Sequence, residues 1–154
     1  MNFIKKIKRI RLIHCDMNKI TKDIKFTALF VQDVQDLLNR FPPKHKKVFG
    51  QHSTIEYKPK SLDGLEIGKE RQIKIIGRAF DEFGDDLLVE NPKSKNKYPH
   101  ITLSRGEDAP PLYSNILFEK AIKSNTIEYF TNEKVKVIES YSDENGIINK
   151  EIVA

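Results

Sequence analysis

Histidine occurs at four positions, His14, His45, His52 and His100. Two of the four share a local pattern. His52-Ser53-Thr54-Ile55 and His100-Ile101-Thr102-Leu103 each place a threonine two residues after the histidine. In an extended strand, residues i and i+2 leave the same face, so each pair offers an imidazole and a hydroxyl to one surface. In the second copy Ile101 and Leu103 point the other way, toward a core; in the first, Ile55 does so and Ser53 is a weaker match. If the two strands lie near each other, two imidazoles and two hydroxyls converge. That set suits a phosphodiester. A neutral imidazole takes a proton from the attacking water, and a protonated one gives a proton to the leaving oxygen. Hydroxyls donate to the non-bridging oxygens where charge builds. No metal or other cofactor is needed. A Ser or Thr two places after a His also arises by composition alone, so the spacing by itself leaves an accidental pattern open.

Both pairs fall on segments that read as strands, and the rest of the chain supplies the elements to hold them. Phe26–Val31 is a buried strand by its apolar run. Asp33 caps a helix whose Val34, Leu37, Leu38 and Phe41 share one face, and Pro42-Pro43 ends it. Residues 52–58 form the next strand. Ile73–Phe80 and Asp86–Glu90 form a hairpin around a polar turn containing Asp81, Glu82 and Asp85. Tyr98–Ser104 is a strand, and residues 110–124 run from a loop into a helix buried through Ile116, Leu117, Phe118 and Ala121. A last hairpin pairs residues 135–141 with 147–153 around Asn145-Gly146. The order β-α-β-β-β-β-α-β-β implies an α+β fold with antiparallel sheets.

Charge is distributed unevenly. Residues 1–24 hold seven Lys or Arg and two Asp, whereas residues 25–154 hold 20 basic and 20 acidic residues. The net +5 therefore belongs to a basic leader, residues 1–24, and the body, residues 25–154, is one neutral domain. A high pI alone thus gives no case for nucleic-acid binding by the body. Within residues 3–11, Phe3, Ile7 and Ile10 fall on one helical face among cations, a pattern that suits an anionic surface. A basic element packed on the domain edge is the plainer reading, and Met17 is an alternative start. Cys15 is the lone cysteine, which excludes an intrachain disulfide and fits a reducing compartment such as the cytoplasm. No apolar run reaches the roughly 20 residues of a membrane span.

The neighbourhoods of the two pairs add a resemblance. Gln51–Ile55, Ile73–Asp81, Asp86–Glu90 and Asn96–Ser104 look like the two-histidine (2H) phosphoesterase superfamily, in particular its short branch beside RNA-repair enzymes, over roughly residues 25–120. The family pattern is His, hydrophobic, Thr or Ser, hydrophobic, occurring twice. The resemblance implies two pseudo-symmetric lobes of antiparallel strands with flanking helices around a central cleft, and His52, Thr54, His100 and Thr102 as catalytic residues. The implied activity is metal-independent hydrolysis of a nucleotide phosphodiester, a 2′,3′-cyclic phosphate or an RNA end. Cyclic oligonucleotide messengers are the alternative substrates, and a non-catalytic module holding a nucleotide or RNA end is the rival class. The departures are Ser53 at a usually hydrophobic position and a separation of 48 residues between motifs.

Around this core set, Arg105 is a candidate phosphate grip, and Tyr57, Tyr98 and Tyr113 are candidate platforms for a base. Lys44, Lys46 and Lys47 read as a charged helix-exit loop. Asp81, Glu82, Asp85 and Asp86 have no cation-site spacing and read as a polar turn, and His14 and His45 read as surface residues. Oligomeric state is left open.

Overall fold

The computed structural model describes residues 24–143 and the backbone of residues 148–149. In chain order the elements are β1 (Ile24–Val31), α1 (Val34–Arg40), β2 (Lys47–Val48), β3 (His52–Tyr57), β4 (Glu70–Phe80), β5 (Gly84–Val89), β6 (His100–Arg105), α2 (Tyr113–Ser124), β7 (Glu128–Asp143) and β8 (Ile148–Asn149). All strand pairings are antiparallel, and the fold class is α+β. One sheet runs in the order β2-β6-β5-β4-β7-β1-β3, with β8 beside β7. The basic leader, Met17 and Cys15 lie outside the described residues, as does the Asn145-Gly146 turn.

The core follows from alternation. Ile73 and Ile75 of β4, Leu87 and Val89 of β5, Ile101 and Leu103 of β6, and Val135 and Val137 of β7 all point to one side, as period-two strands require. α1 closes this side. The Asp33 side chain accepts from the Asp36 N–H at 3.0 Å, and Leu37, Phe41, Val34 and Leu38 all pack into the core. α2 covers the opposite face of β4–β6 through Tyr113, Leu117, Phe118 and Ala121, against Ala79 and Leu88. Here the expected buried side is corrected. Ile116 is 49% exposed, because the stripe at 113, 117 and 121 with 114 and 118 turns position 116 to solvent.

β7 is longer than the apolar run at 135–141 implies. Its polar first half pairs with β4 from Lys74↔Lys134 to Arg78↔Glu128 across a bulge. Backbone pairing orders this stretch, helped by Phe130, which packs against Phe41 and the core.

The turn between β4 and β5 is tighter than expected. Asp81 alone organises it, accepting from the N–H groups of Phe83 and Gly84 at 2.9 and 3.0 Å. β5 therefore begins at Gly84, so Asp85 is a strand residue rather than part of the turn, and it and Asp86 are buried, 0% and 1% exposed. Successive strand residues face opposite ways. Asp85 joins the core side, where Arg78 Nε and Nη2 donate to its two oxygens at 3.0 and 3.1 Å. The Ser104 hydroxyl and the Lys44 N–H complete its shell at 2.7 and 2.9 Å. The second Arg78 Nη2 bond, to the Pro42 carbonyl at 2.7 Å, ties the end of α1 to the same pair. His45 is also drawn in rather than left on the surface: its Nε2 donates to the Asp81 carbonyl at 2.8 Å.

Removing one partner of a buried, fully bonded ion pair leaves the other charge uncompensated. Arg78→Met is expected to lower the unfolding free energy by about 3–5 kcal/mol, read from urea denaturation at neutral pH.

Candidate active site

In the order of the sheet, β3 and β6 stand near opposite ends. The segment between β2 and β3 brings them together. Lys47 and Val48 pair with Arg105 and Ser104 of β6, and the N–H groups of Phe49 and Gly50 continue this ladder to the carbonyls of Leu103 and Thr102, both at 2.8 Å. One residue later the partner changes. The Val31 N–H of β1 donates to the Gln51 carbonyl at 2.8 Å, and His52 pairs with Phe30. Gly50 makes the switch possible. Its φ is +77°, and a Cβ there would sit 3.0 Å from Leu38 Cδ2, so both the backbone region and the space favour glycine.

β3 and β6 diverge from this junction, and a hollow of about 200 Å3 opens between them, lined by Phe49, Gln51, His52, Thr54, His100, Thr102 and Arg105. Both His-x-Thr pairs thus face one cavity. Larger hollows, of about 350 and 410 Å3, lie elsewhere on the molecule and have no histidine in their walls. Among the described residues, no cluster of His, Cys, Asp and Glu has a metal-binding arrangement.

A second connection fixes β3 against the start of β6. The loop after β5 clips the outer edge of β3: the Asn91 Nδ2 donates to Ser53 Oγ at 3.0 Å, the Ser94 hydroxyl to the Thr54 carbonyl at 2.8 Å, and the Lys95 N–H to the Ile55 carbonyl at 2.7 Å. The same loop then runs directly into His100. This explains the polar residue between His52 and Thr54. Ser53 is fully buried, and its hydroxyl accepts the Asn91 amide where a hydrophobic side chain would have no partner for it.

The two imidazoles have different surroundings. The His52 ring stacks on Phe26, centroids 4.6 Å apart and 30° between planes, with Phe30 at 5.8 Å. Burial, and second the charge of His100, lower its pKa from 6.5 to about 4, so it is neutral at neutral pH. His100 has a polar anchor instead: its Nδ1 donates to the Tyr98 carbonyl at 2.6 Å. A carbonyl only accepts, so the Nδ1 proton is fixed and Nε2 is the nitrogen that exchanges. Thr102 Oγ1 lies 3.4 Å from Ser114 Oγ, which also receives Arg105 Nη2 at 3.0 Å. Ser114 is a contribution of α2 that no sequence pattern announces.

Of the four substrate-binding candidates, only Arg105 lines the cavity. The tyrosines lie elsewhere. Tyr57 is 61% exposed at the far end of β3, beneath the Lys58 ammonium. The Tyr98 hydroxyl donates to Glu119 at 2.5 Å, and only the Tyr98 backbone serves the site. Tyr113 is buried, and its hydroxyl is bound to Asp81 and Lys120. Phe49 and Gln51 are the cavity residues that sequence reasoning missed. Both lie on the strand-switch segment, and only the partner exchange turns them inward. Lys44 and Lys46 are exposed, Lys44 lying over the Phe80 ring. Lys47 stands opposite Arg105 on the ladder.

Comparison with protein-family models and with curated protein sequences finds no match for this chain.

The His52 surroundings set an acid limit on stability. Between about pH 6.5 and 4 the unfolded chain binds a proton at His52 that the folded chain does not, so stability is full above the unfolded pKa and falls as pH drops toward the folded one. At about 1.4 kcal/mol per unit, this amounts to roughly 2–3 kcal/mol. Wild type is expected to lose that much more than His52→Phe between pH 7 and pH 4.5, measured by urea denaturation at each pH.

Proposed function

We propose that this chain is a metal-independent phosphodiesterase of the two-histidine type, hydrolysing a nucleotide phosphodiester such as a 2′,3′-cyclic phosphate or an RNA end. The observation that carries this reading is the shared cavity: two imidazoles, two threonine hydroxyls and one guanidinium line the same small hollow. On this reading β3 and β6 each belong to one of two pseudo-symmetric lobes, with the hollow as the cleft between them, and the protein works in the cytoplasm. The absence of a helix long and apolar enough to cross a membrane among the described residues is consistent with a protein that meets its substrate in water.

The chemistry divides between the two walls. The neutral ring of His52 accepts a proton from water as the water oxygen attacks phosphorus. The P–O bond to the leaving oxygen breaks, and His100, protonated on Nε2, delivers its proton to that oxygen. One proton enters at His52 and one leaves from His100, so the second half of the cycle returns them through solvent. Thr54, Thr102 and Arg105 meet the non-bridging oxygens, where donors already in place stabilise developing charge without reorganising. The anionic substrate also counters the His100 charge that holds the His52 pKa down.

Hydrolysis is tested with the full chain under single-turnover conditions against 2′,3′-cyclic mononucleotides, cyclic-phosphate RNAs and cyclic di- and trinucleotides. Turnover of at least one class is expected, with a bell-shaped pH profile. His52→Ala and His100→Ala should each slow it by about 10²–10⁴-fold, with no change on adding excess chelator. Full activity in the double variant would sink the assignment. Tight binding of an unaltered ligand would replace it with a binding module.

A further inference from the structure

Directly behind the cavity wall lies a buried carboxylate that, among the described residues, has no ion-pair partner in contact. Asp86 is 1% exposed and stands opposite Thr102 in the β5–β6 ladder, two residues from Leu88, the partner of His100. Its side chain therefore leaves the sheet on the face that carries Thr102 and His100, beneath α2. Neither Asp86 oxygen makes a well-formed hydrogen bond among the described residues; the Ser114 hydroxyl of α2 is the one donor that acts on the carboxylate. The contrast with Asp85 is informative: that neighbour is as deeply buried but fully bonded, to Arg78, Ser104 and the Lys44 N–H. An unpaired buried carboxylate costs several kcal/mol, and buried polar groups are otherwise nearly always bonded. Packing alone would be better served at position 86 by an apolar residue.

The groups around Asp86 point to what its charge acts on. The charged groups acting on it are His100 and Arg105 from β6 and Asp85 beside it on β5, while α2 contributes the Ser114 hydroxyl. Both cations line the cavity; Asp86 does not, so it touches no substrate. His100 in turn faces Asp86 from β5, His52 from β3 and the Phe118 ring from α2. Among the described residues no carboxylate acts on His52: its ring neighbours are Phe26 and Phe30, and the charge acting on it is that of His100.

We propose that Asp86 is a positioning residue of the site, a buried counter-charge that places the shared proton on His100 rather than His52 and so makes His100 the acid. This rests on reading the cavity as a phosphodiesterase site. Two imidazoles facing one hollow repel when both are charged, so an asymmetry is needed for one to be acid and the other base, and Asp86 supplies it from one side only. Burial pushes the Asp86 carboxyl up, and the charge on His100 opposes that rise. A negative charge at Asp86 and a positive one at His100, on the same face of the β5–β6 ladder, therefore favour each other. Ser114 transmits the same constraint mechanically, since it touches both Thr102 and Arg105.

The test is an NMR titration of the histidine ring signals in the full-length chain, wild type against Asp86→Asn, which keeps the shape and removes the charge. In the variant the His100 ring should give up its second proton at a pH lower by about one unit or more. His52, relieved of part of the His100 charge, should take up its proton at a higher pH. Turnover should fall at least about ten-fold, a rough allowance for a misplaced catalytic proton, with the alkaline limb of the pH profile moving acidward and KM changing less than kcat. Loss of thermal stability with unmoved ring titrations would overturn the proposal and leave Asp86 a structural residue. If Asp86→Asn does not fold, the carboxyl carbon of Asp86 is followed in His100→Gln instead. Its midpoint should rise, and an unmoved midpoint is equally fatal. Ring titrations need no substrate, so failure of the phosphodiesterase reading would appear separately, as a wild-type chain that turns over nothing in the panel.

Discussion

The exchange of strand partners at Gly50 is the constraint on which the candidate site depends. A strand satisfies its backbone groups by pairing along its length, and a segment that leaves one partner must find another at once or bury unpaired N–H and C=O groups. Between Gly50 and Gln51 the chain leaves β6 for β1 with no gap in the bonding. The cost is one residue with a φ of +77° in a space where a Cβ would press on Leu38. The gain is that strands near opposite ends of the sheet order come to share a hollow. The two His-x-Thr pairs occupy the strand positions nearest this junction, where divergence has begun but the strands are still close.

Such a hollow would be loose if the switch were the only connection. The loop after β5 supplies the second, bonding the outer edge of β3 at three successive residues, Ser53, Thr54 and Ile55. That edge would otherwise be open to pairing with another chain. Because the loop ends at His100, the clip on β3 also sets where β6 begins, so the two motifs share one mechanical reference. The buried Arg78–Asp85 pair does comparable work at the other end of β6, tying Ser104, the start of the helix-exit loop and the end of α1 to a single fully bonded carboxylate.

The two walls are alike in residue type and unlike in environment. His52 lies against aromatic rings, which favour its neutral form. His100 is anchored by a carbonyl and backed by a buried carboxylate. Two similar motifs thus meet different chemistry behind them, Phe26 on one side and Asp86 on the other. The proposed division into a general base and a general acid would draw on this difference.

Much of this was legible in the chain itself. Period-two alternation placed the core faces of β4 to β6, the Asp33 cap and the Pro42-Pro43 stop bounded α1, and the element order established the α+β class, because these depend on residues close in sequence. The repeated His-x-Thr spacing singled out four residues that line one cavity, since i and i+2 in a strand share a face whatever the fold. What the sequence could not determine was anything set by residues distant in the chain. Asp85 read as a turn residue, and neither it nor Asp86 as buried, because local composition carries no sign of Arg78 or of α2 closing over them. Three tyrosines read as base platforms, but Tyr98 and Tyr113 bond their hydroxyls elsewhere and Tyr57 stands exposed at the far end of β3. Phe49, Gln51 and Ser114 became cavity and second-layer residues only through the partner switch at Gly50 and the docking of α2. Alternation decides which face a side chain leaves by; only the tertiary structure decides what that face meets.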